Sequence, residues 1–400
     1  MKQVLLIWTE SNPSTMEKDY LLLNALERCG VKAHALGFCH SESNRRYFEK
    51  TYAKGALYSY SFGSKRALYQ GGNYIEKLYS NLYLFFWFSA RLYKFLRARP
   101  TSAIIIPPNP LELTLPVMVL GKLFGVCVVP NIMEYEPALP SFHRKKSIFS
   151  RWSWALVTKF SDAYIVISGF LEDKMRQLSR KPSFRLPAML PPQTDDIRSD
   201  VPDCAHTTSG APAGGVPLLI FTSSQAYADL LGFCIDALSR LHDRNFHLVI
   251  TGEYSVNARN LWMTKAGELG LEGKISFSGF LSDEEMRTLQ IRSTALLMPL
   301  LDNDRHRARF PQKILGYMRL GKPVITTKVG ELDEYFRDTD TVLMDESVTA
   351  QGYSEKIRFL LDHPDHAADI GIRGSRYVES RFNELVLGKQ LAGFLAGLGA

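Results

Sequence analysis

The sequence predicts an α/β protein of two doubly wound domains, each built on a parallel sheet. Short apolar segments alternate with helical stretches through both halves of the chain, as expected for strand–helix–strand units. A chain of 400 residues with 46% hydrophobic content can bury two ordinary cores. Between the halves, a stretch rich in Gly, Pro and Asp at 195–216 predicts a linker or exposed loop.

In the N-terminal half, apolar runs predict strands at 4–9, 31–36, 103–106, 126–130 and 163–168, and helices are predicted at 20–30, 74–97, 111–124 and 147–160. The loop 10–15 after the first strand lacks Gly-x-Gly-x-x-Gly. The chain therefore has no dinucleotide fingerprint at that place, which counts against a dehydrogenase.

The C-terminal half repeats the architecture without repeating the sequence. Strands are predicted at 218–222, 247–252, 275–279, 295–300, 324–327 and 341–344, with helices at 230–242, 258–269 and 283–291 and two more at the end of the chain. The predicted domains are an N-terminal, acceptor- and membrane-facing domain at 1–194, the linker at 195–216 and a C-terminal domain at 217–380. A last helix at 381–400 is expected to pack back on the N-terminal domain.

Composition argues against a zinc-stabilised, secreted, membrane-spanning or metal-dependent protein. The five cysteines are scattered and lack Cys-x-x-Cys spacing, which favours a reducing compartment and argues against structural zinc. The apolar run at the start of the sequence is too short for a signal peptide, and no stretch is long enough to span a bilayer. No acidic cluster with metal-ligand spacing is present, so no essential metal is expected.

Charge is divided unevenly along the chain. Residues 1–193 contain 26 Lys and Arg against 13 Asp and Glu, a formal charge of +13, whereas the remainder carries 22 against 28, or −6. Attraction to an anionic partner therefore belongs to the N-terminal half. Aromatic and basic residues are mixed at 79–99 and at 143–154, which suits an anionic membrane surface. The alternative for 79–96 is an interior helix, and no nucleic-acid module is recognisable.

A basic stretch at 305–313 leads into a predicted helix and then the buried strand 324–327. Pro311 suits a first helical turn, and Gly321 suits a left-handed C-cap. Three arginines beside a helix start are suited to holding an anion, since cations and free backbone N–H groups converge there. The alternative is an ordinary helix-to-strand unit with a solvated basic loop.

The motifs in this stretch, Phe310-Pro311-x-Lys313, Tyr317-Met318, Gly321-Lys322-Pro323-Val324-Ile325 and Gly330-Glu331, resemble the donor-site segment of retaining glycosyltransferases of family 4. The resemblance extends over roughly residues 216 to 395. It implies the GT-B architecture, in which two Rossmann-like domains with parallel sheets face each other across a cleft. It also implies that Lys313 contacts the donor, as the family's lysine does, and that Gly252 and Glu253 form the glycine-rich turn near the nucleobase.

Two family features are missing. Many relatives carry Glu-x7-Glu, whose second Glu binds the donor ribose; the two positions are Ala308 and Gly316 here. Relatives also have a basic pair after the first strand of this domain, where this chain has only Ser223, Ser224 and uncharged neighbours up to Ala228. The roles of the two Glu residues therefore cannot be transferred, and the positive charge needed for a diphosphate falls on residues 305–313.

Ligands of doubly wound sheets bind beyond the carboxyl ends of strands, which selects the candidate residues. The predicted donor-binding residues are Ser223, Ser224, Gly252, Glu253, Leu281, Pro299, Arg305, Arg307, Arg309, Lys313, Gly316 and Tyr317. Arg309 and Lys313 are also expected to stabilise the leaving diphosphate. Glu134 and Glu136, after the strand 126–130, are the predicted acceptor-side carboxylates, one of which orients or deprotonates an acceptor hydroxyl. His306 is a weaker donor-contact candidate.

The resemblance implies a metal-independent retaining glycosyltransferase without an essential cofactor, using a UDP- or GDP-sugar as donor. The expected acceptor is a lipid-linked saccharide or an oligosaccharide in cell-surface polysaccharide synthesis, and the expected place is the inner face of the cell membrane, peripherally bound from the cytoplasm. Two alternatives remain open. One is a catalytically weak homologue that binds a glycan or an assembly partner, and the other is a GT-B sugar-nucleotide epimerase.

Overall fold

The computed structural model describes residues 3–8, 13–39, 57–61, 74–107, 111–135, 148–191 and 215–399. The chain divides into two compact units. Unit 1 is Met1–Pro191 with Asn383–Ala400, and unit 2 is Pro192–Phe382. Both units are parallel α/β structures, which confirms the predicted fold class. The predicted linker at 195–216 lies almost entirely outside the described residues.

Unit 1 is built on a seven-stranded sheet in the order β3-β2-β1-β4-β5-β6-β7, and every described pair in it is parallel. Its strands are β1 (Gln3–Trp8), β2 (Ala33–Cys39), β3 (Leu57–Ser61), β4 (Thr101–Ile106), β5 (Cys127–Ile132), β6 (Tyr164–Val166) and β7 (Ser183–Arg185). Strands β3 and β7 lie at the two sheet edges, and neither was predicted from the sequence.

The helices of unit 1 are α1 (Pro13–Arg28), α2 (Tyr74–Ala98), α3 (Leu111–Phe124), α4 (Ile148–Phe160), α5 (Gly169–Leu178) and, from the end of the chain, α14 (Glu384–Gly397). Alternate residues of a strand face opposite sides of the sheet. Val4 and Leu6 therefore pack in the core with α1 and α14, whereas Leu5 and Ile7 pack in the core with α2, α3 and α4.

Helix α14 is held against α1 by a close backbone approach. A Cβ placed on Gly388 would lie 2.7 Å from the Ala25 carbonyl oxygen, so only glycine fits. Glu384, in the first turn of α14, accepts a hydrogen bond from the Asn24 amide and forms an ion pair with Arg28. The last helix of the chain is therefore an integral part of unit 1.

Unit 2 contains a six-stranded parallel sheet in the order β10-β9-β8-β11-β12-β13. Its strands are β8 (Leu218–Thr222), β9 (His247–Thr251), β10 (Ile275–Gly279), β11 (Ala295–Met298), β12 (Val324–Thr327) and β13 (Leu343–Asp345). The chain builds outward from β8 to β10, then returns to the other side of β8 to form β11. The direction of winding therefore reverses between β8 and β11.

The helices of unit 2 are α6 (Ala228–Ser239), α7 (Val256–Glu268), α8 (Asp283–Arg292), α9 (Asp304–Arg307), α10 (Lys313–Arg319), α11 (Glu331–Tyr335), α12 (Ala350–Asp362) and α13 (Pro364–Arg381). Apolar residues of α6, α12 and α13 pack with alternate residues of the strands in one continuous core, as with Leu231, Ile357 and Ile370. A short 3₁₀ turn, Gln225–Tyr227, joins β8 to α6.

One local prediction in unit 2 was wrong. The basic stretch expected to be a loop contains the one-turn helix α9, which Asn303 caps by accepting a hydrogen bond from the His306 backbone N–H. Helix α10 begins at Lys313, and Pro311 lies in the turn before it, where its carbonyl accepts from the Ile314 N–H at 3.0 Å. Separately, none of the helices in the described ranges is both long and apolar enough to cross a membrane.

Candidate functional site

The carboxyl ends of β8, β9, β10 and β11 meet at one edge of unit 2. Doubly wound sheets bind ligands beyond this edge, at the point where the winding reverses. That point lies between β8 and β11, beyond Thr222 and Met298. The loop after β11 carries the basic residues 305–313, so the fold brings the basic stretch to the expected ligand edge.

Tyr227, at the end of the turn after β8, organises two of the arginines. The Arg305 guanidinium lies over the Tyr227 ring, 4.3 Å from its centroid. Arg309 lies 5.8 Å from the same centroid and donates a hydrogen bond to the Tyr227 hydroxyl. One aromatic side chain therefore holds two cations close together through cation–π attraction and a hydrogen bond. Tyr227 was not predicted from the sequence, although it lies in the loop where the family's basic pair is missing.

Lys313 brings a third cation to the same place. Its Nζ lies 3.4 Å from the Thr222 carbonyl oxygen, at the end of β8. Lys313 is exposed, yet the protein around it partly desolvates the ammonium and lowers the pKa of Lys313 below the ordinary value, with nearby Tyr227 opposing this shift. A partly desolvated ammonium gains strongly from an anionic partner, so this position favours binding of a negatively charged group.

An aromatic cluster anchors the chain between these cations. The Phe310 ring contacts the rings of Tyr335 and Phe382 at centroid distances of 5.8 and 5.5 Å. Its neighbour Ala308 is buried, and a Cβ on Gly330 would lie 3.1 Å from the Arg307 Cα. Because Phe310 and Ala308 are fixed in the core, Arg309 and Lys313 project from a rigid backbone rather than from a loose loop.

Arg307 and His306, two predicted donor contacts, make other contacts in the structure, and helix α10 is short. Arg307 forms an ion pair with Asp302 on the exposed surface, with 2.7 Å between its Nη2 and the carboxylate. His306 is buried; its Nδ1 lies 3.0 Å from the Leu301 carbonyl, and burial lowers the pKa of its imidazole. Helix α10 has only seven residues, so the side-chain cations rather than a long helix dipole dominate the local charge.

Tyr317 lies one turn after Lys313 on α10 and contacts the end of β8. Its side chain is buried, and burial raises the pKa of its phenol to about 12, against a hydrogen bond with Thr222 that lowers it. The Thr251 hydroxyl in turn donates to the Thr222 hydroxyl across 2.9 Å. These contacts join α10 to the ends of β8 and β9, and Tyr317 serves as a neutral wall at pH 7.

Gly252 allows the ends of β8 and β9 to approach each other. Its φ is +124°, and a Cβ built there would lie 1.8 Å from the Ser223 carbonyl oxygen. The Ser223 N–H donates to the Thr251 carbonyl at 3.0 Å, and the Gly252 N–H donates to the Gly279 carbonyl at 2.9 Å. Glycine is therefore required at 252 both by conformation and by space.

A cavity of about 560 Å³ opens beside this turn. It is lined by Ser224, Gln225, Ala226, Gly252, Glu253, Tyr254, Ser255, Arg259, Gly279 and Phe280. Phe280 is 79% exposed at its rim, and the Arg259 Nε donates to the Tyr254 carbonyl at 3.1 Å. Ser224, Gly252 and Glu253 were predicted as donor-binding residues from the sequence, whereas Tyr254 and Arg259 were not. A flat ring bordered by polar groups would suit this cavity.

Two more predicted donor residues lie at the same edge. Pro299 is buried directly after β11, and Leu281 is half-buried after β10. The Ser223 hydroxyl donates to the Ser224 carbonyl at 3.2 Å and so stiffens the turn after β8. Arg309, Lys313 and the cavity are thus connected through the single segment 222–227.

Gly316, one of the positions of the missing carboxylates, faces open space. A Cβ added there meets no other atom within 4 Å, and the residue is exposed on α10. Ala308, the other position, is buried. The structure would therefore accept a carboxylate side chain at 316 but not at 308.

In unit 1, Glu134 is exposed in the segment that follows β5, whereas Glu136 lies outside the described residues. The neighbouring Tyr135 is fixed by edge contacts with the rings of Trp154 and Phe170, at 6.4 and 5.8 Å. Across the described ranges, no group of three or more His, Cys, Asp and Glu is arranged to hold a metal ion. The acceptor-side role of these carboxylates and metal independence stay predictions.

Comparison with known proteins gives the class of fold. Residues 216–363 match the family model described as glycosyl transferases group 1. The whole chain superposes on the Anabaena protein Alr3699/HepE in complex with UDP and glucose, with a TM-score of 0.67 and 14% identity, over 99% of this chain and 100% of that one. None of the curated protein sequences matches this chain.

Two further structures share the architecture. The lipopolysaccharide outer core galactosyltransferase WaaB matches with a TM-score of 0.65 and 12% identity over 99% of each chain. A putative UDP-N-acetylglucosamine 2-epimerase from Listeria monocytogenes matches with a TM-score of 0.57 and 11% identity, over 97% of this chain and 95% of that one. The fold is therefore GT-B, and the similarity to the group 1 glycosyl transferase model lies within its C-terminal unit.

Proposed function

We propose that this protein is a glycosyltransferase that takes its sugar from a nucleotide-sugar donor bound at the carboxyl edge of the unit 2 sheet. The observation that carries the proposal is the pairing of two features at that edge. Three cations, Arg305, Arg309 and Lys313, converge around Tyr227 and the end of β8. A cavity bordered by polar groups and the Phe280 ring opens at the neighbouring strand ends. A nucleotide sugar has the matching parts, a dianionic diphosphate and a flat base.

The chemistry assigned to these residues is stabilisation of the leaving group. When the bond between sugar and diphosphate breaks, negative charge grows on the diphosphate, and fixed cations stabilise that charge more than they stabilise the ground state. Arg309 and Lys313 are positioned before the ligand arrives, by Tyr227 and by the end of β8. A bound diphosphate would also replace the water lost by the Lys313 ammonium and raise its pKa again.

The finer assignments belong to the same proposal. The donor is a UDP- or GDP-sugar, the anomeric configuration is retained, and the reaction needs no metal. The acceptor is a lipid-linked saccharide or an oligosaccharide of the cell surface, oriented by Glu134 or Glu136. The basic charge of residues 1–193, +13, supports peripheral attachment to the inner membrane face. The predicted cations Arg144, Lys145 and Lys146 of that surface lie outside the described residues.

The proposal is tested by heat denaturation with UDP, GDP, ADP and CMP. One nucleotide is expected to raise the melting temperature, because a ligand that binds only the folded protein stabilises it. The matching nucleotide sugars are then assayed for release of free nucleoside diphosphate. If no nucleotide shifts the melting temperature and no nucleotide sugar releases free nucleoside diphosphate, the proposed donor site is refuted. The protein would then act as a binding subunit.

A sugar-nucleotide epimerase is the second candidate, favoured by the similarity to the Listeria epimerase. An epimerase would convert the sugar while it stays on its nucleotide. Incubation with the preferred nucleotide sugar, followed by separation of the sugar epimers, distinguishes the two. The appearance of an epimer without any free nucleoside diphosphate would replace the transferase proposal.

The role of Tyr227 predicts a graded response to substitution. Tyr227→Phe removes the hydroxyl that holds Arg309, and nucleoside diphosphate affinity is expected to fall a few-fold; Tyr227→Leu also removes the ring below Arg305, and the affinity is expected to fall about tenfold or more. Calorimetric titration measures both. Equal affinity in the wild type and in Tyr227→Leu would show that Tyr227 does not organise the anion site.

Gly316→Glu is expected to tighten donor binding about tenfold, because it returns a carboxylate to the position where relatives bind the ribose. The side chain has open space at this position. Gly316→Gln is the matched control, with the same length but no charge. Both replacements are expected to stabilise α10 slightly, since glycine is a poor helix former. Titration with the nucleoside diphosphate checks the difference, and a Glu variant no tighter than the Gln variant would argue against a ribose near residue 316.

A further inference from the structure

A second, larger cavity lies in unit 1, on the face of the sheet covered by α2, α3 and α4. It is a groove of about 1080 Å³ between the C-terminal halves of α3 and α4. Its lining is Leu115, Met118, Val119, Gly121, Lys122, Leu123, Gly125, Val126, Cys127, Val128, Leu156, Lys159, Phe160, Ser161, Asp162 and Lys181. Val126 and Asp162 precede β5 and β6, so the groove lies at the amino ends of these strands, away from the edge where Glu134 lies.

The two helices beside the groove present the same pattern of residues. On α3, Leu115, Val119, Lys122 and Leu123 are spaced at i, i+4, i+7 and i+8. On α4, Trp152, Leu156, Lys159 and Phe160 have the same spacing. Each helix therefore carries one stripe of apolar side chains that ends in a lysine and a large exposed apolar residue. Leu123 is 71% exposed and Phe160 is 50% exposed.

The polar groups of the groove are concentrated at one end. Lys122 and Lys159 lie in the last turns of their helices. The Lys181 Nζ donates to the Lys159 carbonyl at 2.7 Å and to the Thr158 carbonyl at 3.4 Å, which leaves one of its three donors for a ligand. The one acidic lining residue, Asp162, accepts a hydrogen bond from the Val128 N–H at 2.8 Å. Among the described residues, apolar walls therefore lead to a positively charged end.

We propose that this groove binds an anionic phospholipid of a bilayer, with acyl chains along the apolar stripes and the headgroup phosphate on Lys122, Lys159 and Lys181. An amphipathic anion matches both parts of the groove: apolar side chains gain by leaving water, and the lysines gain from the phosphate charge. The exposed Leu123 and Phe160 enter the boundary between headgroups and acyl chains. The inference rests on the proposed attachment of unit 1 to a membrane but not on the donor site of unit 2.

The proposal is tested by flotation of the full-length protein with vesicles of phosphatidylcholine, prepared with or without phosphatidylglycerol. Flotation is expected with phosphatidylglycerol and not with phosphatidylcholine alone. Lys122→Gln and Lys159→Gln are each expected to weaken the binding about fivefold, since one cation near an anionic surface contributes on the order of 1 kcal/mol. Leu123→Ser with Phe160→Ser is expected to weaken binding without changing its preference for phosphatidylglycerol.

Matched controls lie on α7 of unit 2. Leu261 is 67% exposed, and the Lys265 Nζ lies 5.1 Å from the Trp262 ring centroid, so Leu261→Ser and Lys265→Gln make the same chemical changes outside the groove. They are expected to leave flotation unchanged. The replaced residues of α3 and α4 are exposed, so the melting temperature of each variant is expected to stay near that of the wild type.

Flotation of the groove variants equal to that of the wild type would overturn the proposal, as would equal binding to both kinds of vesicle. Equal loss in the α7 controls would also overturn it, because the attraction would then be a property of the whole charged surface. The nucleotide panel is run on the same variants and is expected to be unchanged. If the protein floats selectively with phosphatidylglycerol vesicles but binds no nucleotide, the lipid-groove proposal is supported and the proposed glycosyltransferase function is refuted.

Discussion

Replacement of Lys313 by alanine is expected to lower kcat/KM for the nucleotide sugar about 100-fold to 1,000-fold, the range found when one preorganised donor to a developing anion is removed. Lys313 places its Nζ 3.4 Å from the Thr222 carbonyl, at the end of β8. The charge lost with it cannot be supplied by Arg307, because that guanidinium pairs with Asp302.

The pH dependence of binding is expected to report the same residue. Desolvation lowers the pKa of Lys313 from its ordinary value of 10.5, so the ammonium loses its proton at a lower pH than an exposed lysine would. Affinity for the nucleoside diphosphate should therefore fall as the pH rises through this lowered pKa. The stability of the ligand-free protein changes in the opposite sense. The folded chain binds fewer protons than the unfolded chain between the lowered pKa and 10.5, so this lysine raises the free energy of unfolding as pH rises through that window.

Lys265→Ala is the control for Lys313→Ala, since it removes an exposed lysine of the same unit from α7. Steady-state kinetics and calorimetric titration are measured across the alkaline range for both variants and the wild type. The Lys313 variant is expected to lose both the affinity and its alkaline decline. If it kept wild-type kcat/KM, or kept the alkaline decline, the diphosphate would have to bind elsewhere.

Gly252→Ala is expected to lower the free energy of unfolding by about 2–4 kcal/mol, because several costs fall on one position. A φ of +124° is unfavourable for any residue with a Cβ, and that atom would lie 1.8 Å from the Ser223 carbonyl oxygen. The contact can be relieved only by moving backbone, and the backbone in question connects the cations to the cavity. Donor affinity is therefore expected to fall together with stability.

Gly273→Ala is the control that separates the cost of a positive φ from the cost of a steric clash at the added Cβ. Gly273 also has a positive φ, +73°, but a Cβ there meets nothing within 4 Å. We expect a loss of about 1 kcal/mol and unchanged donor affinity for this control. Denaturant unfolding and titration measure both quantities. A Gly252→Ala variant as stable as the Gly273→Ala variant would mean that β8 and β9 can separate without cost, contrary to the rigid turn described above.

Much of the fold could be predicted from local pattern. The runs 103–106, 218–222 and 295–298 are apolar, and buried parallel strands have that composition, so their positions were predicted nearly as the structure has them. The edge strands β3 and β7 were missed because Tyr58, Ser59 and Ser183 give no continuous apolar signal. Helix α9 was missed because its single turn depends on the Asn303 cap rather than on periodicity.

The candidate site could be predicted only in part. Lys313 was predicted because it lies in a motif that resembles a known family, and Gly252 was predicted because it ends a strand. Tyr227 was not found, since it acts on a residue 82 positions away and no local pattern links the two. The cavity is lined by three separate segments, 224–226, 252–259 and 279–280, and only folding brings them together.

The central claim is that unit 2 holds a nucleoside diphosphate between the Tyr227 cations and the cavity beside Gly252. A crystal structure of the protein with the nucleoside diphosphate that raises its melting temperature most tests this claim directly. We expect phosphate oxygens within hydrogen-bond distance of the Lys313 Nζ and the Arg309 guanidinium, with the base next to Phe280. A nucleotide bound at any other place, with no phosphate contact to Lys313 or Arg309, would contradict it.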